Sequence, residues 1–177
     1  MLFYDGDQIP ATIYFDMDGT LAMFYSHPEC LEKMYETGYF KYLPPYVKMI
    51  FAVKSLIKNG YDVRILSACV TPQSRVEKTE WLKTFLPEIP KEKIYFCNVG
   101  EDKASVIPST HRAILIDDYS ENCLRWEAAG GIAIKFLNEI NGKGEKWKST
   151  TIHYDSSPEE IVALIKAYTG GQTHLIF

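Results

Sequence analysis

Five short apolar runs recur along the chain: "ATIYFD" (11–16), "YDVRIL" (61–66), "KIYFCN" (93–98), "RAILID" (112–117) and "GIAIKF" (131–136). Each is almost continuously hydrophobic and rich in β-branched or aromatic residues, which suits strands covered on both faces. Helix-like stretches lie between several of them. "VKMIFAVKSLIKNG" carries apolar residues at Val47, Ile50, Phe51, Val53, Leu56 and Ile57 and stops at Asn59-Gly60. "QSRVEKTEWLKTFLP" stops at Pro87, "SENCLRWEAAGG" at Gly130, and "SPEEIVALIKAYTG" opens with Ser157 as cap and Pro158 in its first turn. Such alternation predicts an α/β fold, a three-layer Rossmann-like parallel sheet joined by right-handed crossovers.

Residues 22–46, "AMFYSHPECLEKMYETGYFKYLPPY", break the rhythm. They are too many for an ordinary connection between a strand and its crossover helix. We read them as a small cap inserted after strand one, with residues 1–21 and 47–177 forming the core. In open parallel sheets ligands bind beyond the carboxyl ends of the strands, where a cap would sit.

Polar residues collect at that edge. Asp16 closes the first run and Asp18 follows two residues on. Ser67 is expected to end strand two, and "LIDDY" places Asp117-Asp118 at the end of strand four, with Lys103 between strands three and four. Carboxylates gathered in one crevice repel unless a cation sits among them, and hard oxygen ligands suit Mg²⁺. A carboxylate beside Mg²⁺ can attack phosphorus, and a second acid can protonate the leaving oxygen and then activate water. A hydroxyl and an ammonium can hold the phosphoryl oxygens. Asp16, Asp18, Ser67 and Lys103 fit those four roles in that order. Gly19 allows a sharp turn after the strand.

The ordered pattern DxDGT, Ser, Lys, DD resembles the haloacid dehalogenase (HAD) superfamily of phosphohydrolases over nearly the whole chain. The resemblance implies the HAD fold, with Asp16 as nucleophile through an aspartyl-phosphate and Asp18 as general acid/base. It makes Ser67 and Lys103 phosphate-binding. Mg²⁺ would be held by the Asp16 carboxylate, the Asp18 backbone carbonyl and Asp118, with Asp117 acting through a water. Asn122 is a departure, standing where many members carry a further Asp. "DMDGTLAMF", the short aromatic cap, "EDKASVI" before "LIDDY", and "GIAIKFLN" are most similar to 5'(3')-deoxyribonucleotidases and their bacterial and phage relatives. This implies a 5'-nucleotidase acting on (deoxy)nucleoside monophosphates, with Phe24 against the nucleobase. Tyr39 and Phe40 are further candidates for substrate contact, although a small insertion also needs aromatics for its own core.

Two alternatives stay open. One is a HAD phosphatase for sugar phosphates or polynucleotide ends. The other is a receiver-like phospho-accepting module, whose acidic pair would come first in the chain rather than last. The net charge of −4 argues against a partner that is a nucleic-acid polymer. No apolar run reaches membrane-spanning length and the amino terminus lacks a secretory pattern, so no membrane association and a cytoplasmic location are expected. Cys30, Cys69, Cys97 and Cys123 form no CxxC pair and are expected as buried free thiols. A homo-oligomer is left open.

Overall fold

The computed structural model describes residues 11–142 and 146–170. The expected core residues 1–10 and 171–177, and part of the "NGKGEKWK" stretch, lie outside the described residues.

The five apolar runs are strands: β1 (Thr12–Phe15), β2 (Asp62–Cys69), β3 (Ile94–Asn98), β4 (Ala113–Asp117) and β5 (Ile132–Leu137). A three-residue β6 (Thr151–His153) joins at one edge, and it was not legible from periodicity. All pairings are parallel and the order is β3-β2-β1-β4-β5-β6. After β3 the chain returns to the middle and pairs β4 with β1. The order therefore reverses between those two strands, the place where such sheets open a ligand crevice.

The helices are α1 (Cys30–Lys33), α2 (Val47–Lys58), α3 (Pro72–Phe85), α4 (Ser120–Ala128) and α5 (Pro158–Thr169). Thr71 caps α3 and Ser157 caps α5, each through a reciprocal capping box with proline in the first turn. Alternation along the central strands divides the core in two. Ile13, Phe15, Ile114 and Ile116 pack with α2, α3 and α5, whereas Tyr14, Ala113 and Leu115 pack with Cys123 and Trp126 of α4. Three layers result. β2 runs two residues past Ser67, so Ser67 lies inside that strand rather than at its end. The four cysteines are free and buried. No described helix is long and apolar enough to cross a membrane.

Between β1 and α2, residues 22–46 contain only α1 and two 3-10 turns, Phe24–Ser26 and Phe40–Tyr42. Phe24, Tyr39 and Phe40 form its aromatic centre. Phe24 stacks on Phe40 with centroids 6.1 Å apart, and both meet Tyr39 edge-on.

Candidate active site

The register of β1 and β4 pairs Phe15 with Ile116, and the Asp16 N–H continues the ladder to the Ile116 carbonyl at 2.8 Å. Asp16 and Asp117 thereby leave the sheet side by side. Lys103, at the start of a 3-10 turn (Lys103–Val106), is buried between them. Its Nζ stands 2.5 Å from Asp16 Oδ1 and 2.6 Å from Asp117 Oδ2. Lys93, which precedes β3, pairs instead with Asp62 at 2.9 Å.

Asp16, Asp117 and Asp118 are all buried, with one oxygen of each lying within 4.8 Å of the others. Burial, opposed by Lys103 and reinforced by Asp117 and Asp18, pushes the Asp16 carboxyl up to about 7. Burial and then the charges of Asp117 and Asp16 raise Asp118 well above the carboxylate range. Burial works against the Lys103 ammonium, but Asp117 and Asp16 outweigh it and raise its pKa. With one ammonium among three buried carboxyl groups, the cluster resists full ionisation unless a further cation joins it.

A turn of residues 17–22 follows Asp16, closed by the Ala22 N–H to Met17 carbonyl bond at 2.8 Å. Gly19 sits there at φ +80, and a Cβ on it would lie 2.3 Å from Asp118 Oδ2. Asn138, just past β5, donates its amide to Asp118 Oδ2 at 3.0 Å and to the Gly19 carbonyl at 3.1 Å. Asn141 donates to the Asp118 carbonyl at 2.8 Å. Hard oxygen donors, a carboxyl cluster short of cations and the close approach of Asp118 that glycine permits fit Mg²⁺. Asp117 has both oxygens engaged, by Lys103, the Tyr119 N–H and Asn122. Its carboxylate therefore anchors Lys103, and Asp118 carries fewer protein contacts.

Asp18 turns toward α3. Its Oδ2 accepts from Lys78 Nζ at 2.5 Å, and Oδ1 is buried without a hydrogen-bond partner among the described residues. Lys78 is fully buried and also donates to Ser67 Oγ at 3.1 Å and to the Ala68 carbonyl. Asp16, Asp18, Ser67, Lys103, Asp117 and Asp118 thus converge at one sheet edge, together with Lys78.

A cleft of about 260 Å³ adjoins Asp118 and is lined by Tyr25, Tyr119 and Lys146 among others. Burial, then Asp118 and Asp16, raises the Tyr25 phenol. Phe24 packs edge-on behind Tyr25, with centroids 5.0 Å apart. Tyr39 is half-buried and donates its hydroxyl to the Phe24 carbonyl at 2.5 Å. Phe40 is 1% exposed, its ring set over Lys78. Thr71 and Arg75 do not join the cluster: Thr71 caps α3, and exposed Arg75 lies against Phe96.

Sequence reasoning missed Lys78, Asn138 and Asn141. A signal for Lys78 exists in α3, where Ser74, Glu77, Lys78 and Trp81 share the buried face. Polar residues in phase with a tryptophan mark a helix facing other polar groups.

The fold is the Rossmann-like fold found in haloacid dehalogenase-type hydrolases. Among solved structures, the chain is similar to a putative phosphatase from Clostridium difficile, with 16% identity, TM-score 0.64, and 89% of this chain and 99% of that chain covered. It is similar to D,D-heptose 1,7-bisphosphate phosphatase from Burkholderia thailandensis, with 10% identity, TM-score 0.61, and coverage of 89% and 99%. A HAD family hydrolase from Deinococcus radiodurans R1, with bound phosphate and sodium, gives 13% identity, TM-score 0.60, and coverage of 91% and 97%. No protein-family model matches the chain, and no curated protein matches it.

Proposed function

We propose that the chain is a Mg²⁺-dependent phosphomonoesterase of the HAD type, acting through an aspartyl-phosphate on Asp16. The observation that carries this reading is the buried cluster in which Lys103 bridges Asp16 and Asp117 while Asp18, two residues on, has an oxygen with no hydrogen-bond partner among the described residues.

Asp16, Asp118 and the Asp18 backbone carbonyl would hold Mg²⁺, with Asp117 behind a water. When bound, the ion neutralises the carboxylates and the charge on the phosphoryl oxygens. Asp16 attacks phosphorus, forming an acyl-phosphate bond as the ester P–O bond breaks. Asp18 gives the departing oxygen its proton through Oδ1, the oxygen that Lys78 leaves unengaged. Asp18 then takes a proton from water, which attacks the acyl-phosphate, frees phosphate and restores Asp16. Ser67 and Lys103 supply donors for the phosphoryl oxygens.

For the substrate we propose a small phosphomonoester, specifically a (deoxy)nucleoside monophosphate acted on as by a 5'-nucleotidase. Residues 22–46 serve as the cap over the core, and Tyr25, backed by Phe24, gives the cleft an aromatic wall for a base. The likeness to a heptose bisphosphate phosphatase supports sugar phosphates as the second reading. Phosphate release with Mg²⁺ from nucleoside monophosphates, sugar phosphates and a 3'-phosphorylated oligonucleotide separates these. Turnover concentrated on nucleoside monophosphates supports the nucleotidase. Turnover of sugar phosphates alone would keep Asp16 and remove the base-binding wall.

A further inference from the structure

Glu77 and Lys78 are neighbours on α3, yet they serve different parts of the molecule. The Glu77 carboxylate, 2% exposed, accepts from the Gly38 N–H at 2.6 Å, the Phe40 N–H at 3.2 Å and Gln73 Nε2 at 3.0 Å. One turn on, Trp81 Nε1 donates to the Leu43 carbonyl at 2.7 Å. These bonds fasten residues 38–43 to the helix. Lys78 reaches the polar cluster instead, and its three protons are spent on Asp18, Ser67 and the Ala68 carbonyl. The Phe40 ring lies over that ammonium, its centroid 4.7 Å away. Phe40 is therefore gripped twice, by its N–H on Glu77 and by its ring on Lys78.

A lysine stem has four rotatable bonds and a strongly hydrated head, so it stays in one place only where water is kept out. The Phe40 face excludes water and is itself attractive to the cation. Asp18 gains its orientation from that fixed ammonium, and a displacement of about 1 Å at a proton-transfer group costs roughly 100-fold in rate.

We propose that Glu77 is a positioning residue for catalysis: it seats Phe40 over Lys78 and so keeps the ammonium dry and fixed on Asp18. Seating of the 38–43 turn and placement of Asp18 are then one mechanical unit. The inference rests on the phosphatase reading above. A purely structural Glu77 would hold the turn without acting through Lys78.

The test compares the full-length wild type with Glu77→Gln, Lys78→Met, the double variant and Phe40→Leu. Each is assayed for kcat and KM on p-nitrophenyl phosphate with Mg²⁺. Each is also treated with an acetylating reagent, and labelling of Lys78 is read by mass spectrometry. Circular dichroism establishes that every variant is folded. Glu77→Gln is expected to lower kcat by about tenfold to 100-fold with KM changed by less than about threefold. That loss should vanish in the Lys78→Met background. Phe40→Leu keeps the backbone N–H on Glu77 but removes the ring, and it should reproduce the loss. Lys78 should be labelled in both of these variants and not in the wild type. An equal loss from Glu77→Gln with and without Lys78, or Lys78 left unlabelled in Glu77→Gln, would overturn the proposal. A folded wild type that turns over no phosphomonoester would instead overturn the phosphatase reading, while the labelling still decides whether Glu77 seals the ammonium.

Discussion

Asn122 places its amide nitrogen 3.0 and 3.2 Å from the two carboxylate oxygens of Asp117. Asp117 in turn holds Lys103, and Lys103 reaches Asp16, so a residue on α4 steadies the site from behind. Where many members of the family it resembles carry a further acid, this chain carries a donor. Asn122→Asp would turn two donated hydrogen bonds into repulsion between like charges. The expected result is a loss of about 1–3 kcal/mol, read as a lower urea midpoint with an unchanged slope. An unaltered midpoint would show that Asp117 does not depend on this amide.

Asp16→Asn should lower phosphate release by at least about 10³-fold. Its effect on stability has the opposite sign. With its carboxyl raised from 3.8 to about 7, Asp16 favours the folded state while protonated, and that contribution is lost as pH rises through about 7. Without divalent cation, the variant should therefore melt above the wild type at pH 8, with the gap closing toward pH 5. Thermal melts across that range check it. A gap independent of pH would mean Asp16 is not the group that carries the strain.

The same shift governs the cation. On the proposed function, Mg²⁺ would compete with protons for Asp16 and Asp118, whose pKa values burial and neighbouring carboxylates raise. Affinity should weaken below about pH 7, by up to about tenfold per pH unit for each proton displaced. Calorimetry in two buffers of different ionisation heat counts the protons released. Equal affinity at pH 5.5 and pH 8 would contradict the buried cluster as the binding site.

Gly19→Ala tests the space beside Asp118. The added Cβ would meet Asp118 Oδ2 at 2.3 Å, from a backbone conformation at φ +80 that side chains rarely adopt. Asp118 must move, and its bond from Asn138 goes with it. Mg²⁺ affinity is expected to fall by about tenfold to 100-fold while helical circular dichroism is retained. Unchanged affinity would place the cation elsewhere.

How much could be read beforehand depends on which forces speak locally. The strands announce themselves because burial on both faces leaves continuous apolar runs, as in "RAILID". β6 does not, since three residues with only Ile152 buried make no pattern. In α2, Val47 and Phe51 fit the apolar stripe yet stand 56% and 60% exposed, because the helix turns Met49, Ile50, Ala52, Val53 and Leu56 to the sheet. Asp16, Asp117 and Lys103 were legible because strand ends and a short turn fix them. Lys78 was not, because its partners Asp18 and Ser67 come from other strands and loops, and only tertiary packing joins them. The aromatics of residues 22–46 had two readings, substrate wall and local core. Phe24 and Phe40 occupy the core, and Tyr25, the residue next to Phe24, faces the cleft.

β1 stands at the middle of the sheet, hydrogen-bonded to β2 some fifty residues away and to β4 about a hundred residues away. Neither partner is reachable by short-range contacts, so both loops must close before this strand gains its neighbours. Asp16 and Asp117 therefore come together only once β1 and β4 are paired. Their repulsion is imposed only when β4 docks beside β1. A ribosome releasing the chain from its amino end would expose the strand that leads to Asp16 long before the acidic pair that completes the cluster is made. On the proposed function, cation capture would therefore require both halves of the sheet to have joined.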